Sequence, residues 1–265
     1  MTPGFLQITP QLVQAPRIEL MDLDATCSFE LLSRPQKAQR VGWVAPQSLL
    51  LPAPALLVEI PIKAPETDVY VPEWAAGARE AFEKIANHRK SSSAHADNEW
   101  WSMLYHREPV RAGWPARLNA GKHFDCAPER IEAQDMRLPT SYIVSSTLPT
   151  VFYDGVKGFD KDAYLEARAE WRQTEIELGE EQDWETLAKL RNNFFNKLVY
   201  PEQGRCWPEG TIVCINSANV HEVQYAGQRT DRGFLHITAS EGRASHKTPE
   251  YLKRHNPALL KAMGG

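Results

Sequence analysis

The chain has 265 residues, of which 30 are Lys or Arg and 34 are Asp or Glu, for a formal net charge of −4. That balance gives no strong nucleic-acid signal, because neutralising phosphates needs a basic surface. A hydrophobic share of 42% with eight tryptophans is too apolar for a disordered chain and leaves enough to bury one sizeable core.

Taken in chain order, the first part carries short apolar runs of β character, Ile18–Leu23, Val41–Ala45 and Ala55–Ile62, punctuated by many of the 19 prolines. The run from Ser48 to Ile62 is interrupted by Pro52, Pro54, Glu59 and Pro61 and is too short to cross a bilayer. The N-terminus has no basic and apolar leader, so the expectation is a non-membrane, cytoplasmic protein. A helix is expected from Pro72 to about Lys90, with Trp74, Ala78, Phe82 and Ile85 at helical spacing, and Ser91-Ser92-Ser93 reads as the loop that follows. The Trp100-Trp101 pair and Tyr105 read as core.

From Val110 to Tyr153 the texture is β-like, with Ser141–Thr147 the clearest strand. Two amphipathic helices are then expected, Asp160–Leu178 and Asp183–Leu198. Tyr164, Trp171 and Leu178 lie on one face of the first. Trp184, Leu187, Leu190, Phe194 and Leu198 lie on one face of the second, and Asp160 and Asp183 are the N-caps. Strands are expected again at Thr211–Ile215, Val220–Tyr225 and Gly233–Ala239, with a C-terminal helix from Thr248 broken at Pro257. The chain thus reads as a single domain, 1–265. It divides into an N-terminal support region 1–109, a core 110–240 holding the helical insertion 160–198, and a tail 241–265. The insertion either packs on the outside of the core or covers its mouth as a lid.

Four scattered cysteines, Cys27, Cys126, Cys206 and Cys214, form no Cys-x-x-Cys pair, which excludes a zinc ribbon and disfavours a disulfide framework. The histidines carry more. Two begin a His-x-Asp triplet, His95-Ala96-Asp97 and His123-Phe124-Asp125. In extended backbone, residues i and i+2 point to one side, so an imidazole and a carboxylate can meet one ion. A distant second histidine completes a face of three ligands and leaves positions open, the pattern of non-haem Fe(II) oxygenases. His95 sits in a polar stretch with no strand around it, whereas His123 follows a glycine turn and precedes a β run. His221, just after the turn-like Asn216-Ser217-Ala218-Asn219, is the candidate second histidine, and Arg232 follows eleven residues later.

The segment Pro208-Glu209-Gly210-Thr211-Ile212-Val213-Cys214-Ile215, then His221, then Arg232-Gly233-Phe234-Leu235-His236-Ile237, resembles the C-terminal half of the Fe(II)/2-oxoglutarate-dependent oxygenases, with His123-Phe124-Asp125 as the proximal pair. The likeness covers roughly residues 110 to 240. It implies a double-stranded β-helix, the jelly-roll or cupin-like barrel, with helices outside. It also implies Fe(II) on His123, Asp125 and His221, 2-oxoglutarate chelating that iron, O2 as the other substrate, and Arg232 holding the distal carboxylate. In that resemblance Asp125 speaks for hydroxylation or desaturation, since halogenating relatives lack that carboxylate. Asn119, Tyr142, Tyr153 and His236 are further candidates for touching the co-substrate, and Arg229 is an alternative to Arg232. The implied reaction is a hydroxylation with release of succinate and CO2; a small-molecule substrate fits the mild acidity and the insertion, and a nucleobase or protein side chain stays open as the substrate. Two rivals stay open: a cupin-type metal enzyme that uses no keto acid, and a non-catalytic β-sandwich binding module. Nothing in the sequence indicates the oligomeric state.

Overall fold

The computed structural model describes residues 37–50, 58–63, 76–93, 99–116, 120–125, 140–154, 156–158, 160–178, 184–216 and 219–241. The expected strand Ile18–Leu23, the His95/Asp97 triplet, Asn119, Cys27, Cys126, Asp183 and the C-terminal helix lie outside them. Nine strands are described: β1 (Gln39–Trp43), β2 (Val58–Lys63), β3 (Glu99–Val110), β4 (Thr140–Ser145), β5 (Thr150–Tyr153), β6 (Gly204–Cys206), β7 (Thr211–Asn216), β8 (Val220–Val223) and β9 (Thr230–Glu241). Three α-helices accompany them: α1 (Ala76–Ser92), α2 (Lys161–Leu178) and α3 (Trp184–Leu198). No helix among the described residues is long and apolar enough to cross a membrane.

A six-stranded sheet runs β1-β7-β4-β9-β3-β2 and a three-stranded sheet runs β6-β5-β8. Every pairing is antiparallel. The chain passes repeatedly from one sheet to the other: β4 lies in the large sheet, β5 and β6 in the small, β7 in the large, β8 in the small and β9 in the large. Sequence neighbours such as β7 and β8 therefore face each other across the sandwich instead of pairing, which is the jelly-roll path. An isolated antiparallel bridge, His123 to His221, adds the segment before β4 to the edge of the small sheet.

Side-chain alternation sorts the core into layers. Ile143, Val213, Ile215 and Phe234 of the large sheet meet Phe152 of the small sheet inside the sandwich. On the other face of the large sheet, Tyr142, Val144, Ile212, Leu235, Ile237 and Ala239 pack against Ala78, Ala81, Phe82 and Ile85 of α1. Each fully buried Phe, Ile, Leu or Val side chain of this layer contributes about 1.5–3 kcal/mol, so α1 is held by its apolar stripe more than by propensity. The outer face of the small sheet is covered by α2 and α3. Tyr164, Trp171, Leu187, Phe195 and Leu198 close over Tyr153 and Val220. The insertion thus packs on the outer wall of the sandwich.

Several expectations shift in detail. α1 continues through Ser91 and Ser92, where a loop was expected, because each hydroxyl donates to a carbonyl one turn back, His88 O at 2.8 Å and Arg89 O at 3.4 Å. The twelve-residue β3 includes Trp100 and Trp101 and was not expected as a strand. It lies between β2 and β9 and pairs with β9 along its whole length. β9 begins at Thr230 rather than Gly233, since its ladder with β3 extends to the Val110–Thr230 pair. Pro61 sits in β2, an edge strand, where a missing N–H is tolerated. Gly210, which leads β7, has φ +75°, and a Cβ there would lie 2.1 Å from the Val44 carbonyl oxygen, so the tight approach admits only glycine.

Candidate metal centre

His123 and His221 exchange both backbone hydrogen bonds, His123 N–H to His221 O at 3.0 Å and His221 N–H to His123 O at 3.1 Å. A directly opposed pair of this type puts both side chains on one face, and the two imidazoles lie 4.4 Å apart between centroids. That face points into the sandwich, since His221 is opposite Phe152 in the β5–β8 register and its ring is 5.9 Å from the Phe152 ring. Asp125, two residues beyond His123, brings its carboxylate to the same place, with Oδ1 3.2 Å from His221 Nε2. The ligand atoms of His123, Asp125 and His221 all lie within 4.8 Å of one another.

The imidazoles are oriented by the same local device. His123 Nδ1 donates to the Gly121 carbonyl at 2.8 Å, and His221 Nδ1 donates to the Asn219 carbonyl at 3.1 Å. With Nδ1 committed as a donor, Nε2 carries the lone pair, the tautomer that a metal ligand needs. His221 Nε2 and Asp125 Oδ2 are buried and make no well-formed hydrogen bond. Buried polar atoms left in that state are costly, and two imidazole nitrogens with one carboxylate are a natural donor set for a divalent transition metal. The residues therefore fit a metal ion.

The electrostatics are those of a small charged cluster out of water. Burial lowers the His123 pKa well below the ordinary histidine value, with His221 and Arg191 adding to the effect against Asp125. Burial on its own raises the Asp125 pKa, but His221 and His236 outweigh it and hold the carboxyl well below its usual range. Burial likewise lowers the His221 pKa, yet the Asp125 carboxylate more than compensates and the net shift is upward.

His123 and Asp125 are carried by a loop that α3 props from outside. Asn192 Oδ1 accepts the Lys122 N–H at 2.8 Å, and Arg191 Nη1 donates to the Ala120 carbonyl at 3.0 Å. Between them Gly121 has φ +70° and lies so close to Ala188 that a Cβ would be 2.7 Å from the Ala188 Cα. On the His221 side, Asn219 Oδ1 accepts the Asn216 N–H at 3.1 Å and closes the turn before β8. Lys122 Nζ and Glu222 Oε1, 2.6 Å apart, tie the residues that follow Gly121 and His221 to each other.

β9 contributes the rest of the inner face. Arg232, Phe234 and His236 alternate inward, and Arg232 is fully buried. His236 Nε2 lies 3.3 Å from Asp125 Oδ2 and 3.2 Å from Thr238 Oγ1. Arg232 is four residues away, roughly 13 Å along the strand. Its guanidinium lies 4.2 Å from the Phe234 ring centre and its Nη1 is 3.6 Å from Glu108 Oε1. Burial lowers the Arg232 pKa to about 10, against the Glu108 carboxylate, which supports the charge.

The expected site residues thus divide. His123, Asp125, His221 and His236 come together, and Arg232 shares their face. Two expected residues face away from the cluster. Tyr142 points to the α1 side of the large sheet, with its hydroxyl 3.2 Å from His88 Nδ1. Tyr153 points to the α2–α3 side of the small sheet and donates to Glu222 Oε1 at 2.6 Å. Strand parity is the reason in both cases: Ile143 and Phe152, one residue away, take the inward positions. Arg229 is exposed. Glu108, Arg191 and Asn192 were not expected at the site, and Gly121 and Asn219 were expected only as turn residues. Only Gly121 and Asn219, each two residues before a candidate ligand, left a signal in the sequence.

No family model matches the sequence, and no curated protein matches it. Among solved structures, the chain is similar to AviO1 from Streptomyces viridochromogenes Tue57 at a TM-score of 0.40 and 12% identity, over 82% of this chain and 96% of that one. It is also similar to EvdO2 from Micromonospora carbonacea var. aurantiaca at a TM-score of 0.35 and 15% identity, over 70% of this chain and 68% of that one. The molecule is an antiparallel jelly-roll sandwich with a three-residue candidate metal site on its inner face.

Proposed function

We propose that this chain is an Fe(II)- and 2-oxoglutarate-dependent oxygenase that hydroxylates a small molecule, with release of succinate and CO2. The observation that carries the reading is the paired histidine bridge: two Nε2 atoms and the Asp125 carboxylate converge, each imidazole held from behind by a backbone carbonyl. His123, Asp125 and His221 would hold Fe(II), and three protein ligands leave room for co-substrate and O2. Bound iron and keto acid would supply the oxidising chemistry. The protein's part is to orient, to exclude water and to hold charge. His236 Nε2 lies 3.3 Å from the second oxygen of Asp125, and Arg232, buried on the same face, would take the distal carboxylate of the keto acid. The free thiols of Cys206 and Cys214 suit a reducing, cytoplasmic setting.

One observation favours the rival metal enzyme without a keto acid: Arg232 already has Glu108 as a carboxylate partner. The two readings part on product. Protein supplied with Fe(II), ascorbate, 2-oxoglutarate and air should form succinate, and His221→Ala should not. Absence of succinate from iron-loaded wild-type protein, with a panel of small-molecule substrates present, would reject the keto-acid reading. A protein that also bound no iron would be the binding module.

A further inference from the structure

Glu108 and Arg232 are opposite each other in the β3–β9 register. Both are buried, Arg232 at 0% exposure and Glu108 at 8%. A carboxylate of the protein stands 3.6 Å from Arg232 Nη1, and the Phe234 ring lies against the guanidinium. The pair is neutral as it stands. A ligand carboxylate entering here brings a second negative charge within a few ångströms of the first, where little water screens it.

We propose that Glu108 determines specificity in the co-substrate pocket, as a built-in carboxylate that the distal carboxylate of an incoming keto acid must displace from Arg232 or share it with. The inference rests on the keto-acid reading above. It follows that the wild-type site takes 2-oxoglutarate at a penalty, and that the penalty belongs to the distal carboxylate alone. A keto acid without that group approaches the metal and leaves the Glu108–Arg232 pair undisturbed.

The test is anaerobic calorimetry on Co(II)-loaded protein with two titrants, 2-oxoglutarate and 2-oxobutyrate, which lacks the distal carboxylate. Glu108→Gln keeps the shape and removes the charge. Close buried charge pairs are strongly coupled, so 2-oxoglutarate should bind at least about tenfold more tightly than to wild type, while 2-oxobutyrate affinity stays unchanged. Glu108→Asp keeps an anion but withdraws it by one methylene. It provides a second arm should the Gln variant not fold, with tightening in the same direction. Unchanged or weaker 2-oxoglutarate binding in the folded variant, with wild type binding it, overturns the inference and leaves the keto-acid reading standing. If neither wild type nor variant binds 2-oxoglutarate while both bind Co(II), the reading and the inference fall together. Equal tightening for both titrants also overturns it, because the effect would then not be on the distal carboxylate.

Discussion

A buried histidine becomes a metal ligand when something fixes which nitrogen keeps the proton. Here a carbonyl two residues upstream does so twice, Gly121 for His123 and Asn219 for His221. The same arithmetic of parity that turns these rings inward turns Tyr142 outward. Its hydroxyl serves the contact between the large sheet and α1, near His88, and has no part at the metal face. Tyr142→Phe should therefore cost about 1 kcal/mol of stability through the lost hydrogen bond, read as a lower melting temperature, with 2-oxoglutarate and metal affinity unchanged. A clear loss of 2-oxoglutarate affinity would return Tyr142 to the pocket. The nearness of His123 to Asp125 was legible from the i, i+2 spacing, and the joining of His221 to them from the resemblance in residue order, which the cluster of the three matches. The orientation of Tyr142 and Tyr153 was not, since one residue of register moves a side chain to the opposite face. Glu108 was illegible for a related reason. It matters only through its pairing with Arg232, and β3 had not been expected as a strand.

At the scale of elements, the helical insertion was legible from its two apolar stripes, and its Asp160 cap is made, Oδ1 accepting the Ala163 N–H at 3.1 Å. Which surface those stripes cover was not legible, because both a wall and a lid need an apolar face. The structure puts Trp171 and Phe195 against the small sheet and sets α3 behind the 120–125 loop. α3 is thus a buttress for the loop that carries two of the three candidate ligands. Asn192→Ala removes the acceptor of the Lys122 N–H, a loss of about 1–3 kcal/mol when a buried donor is orphaned. The expected outcome is weaker metal binding out of proportion to any loss of helix content. Asn192→Asp, which keeps an acceptor oxygen in the same place, should restore most of the affinity. If Asn192→Ala binds metal as wild type does, the loop holds its own shape and α3 is packing alone.

At the scale of the molecule, a sandwich with helices on both outer faces leaves its polar chemistry on the inside, between the sheets. His123 and Asp125 come from before β4 and His221 from after the insertion, and the bridge between the 120–125 segment and β8, the edge of the small sheet, unites them, with the Lys122–Glu222 ion pair beside it. The β-rich class was legible from the alternation of short apolar runs and turns. The strand order was not, because register between distant segments has no local signature. Everything proposed for this fold depends on His123, Asp125 and His221 forming a metal site. Anaerobic Co(II) titration followed in the visible region tests it most directly. One ion should bind per chain with a spectrum of nitrogen and oxygen ligation, and Asp125→Ala should lose that binding while Asp97→Ala keeps it. Equal binding by wild type and Asp125→Ala, or loss confined to Asp97→Ala, would show that the metal is not held by His123, Asp125 and His221.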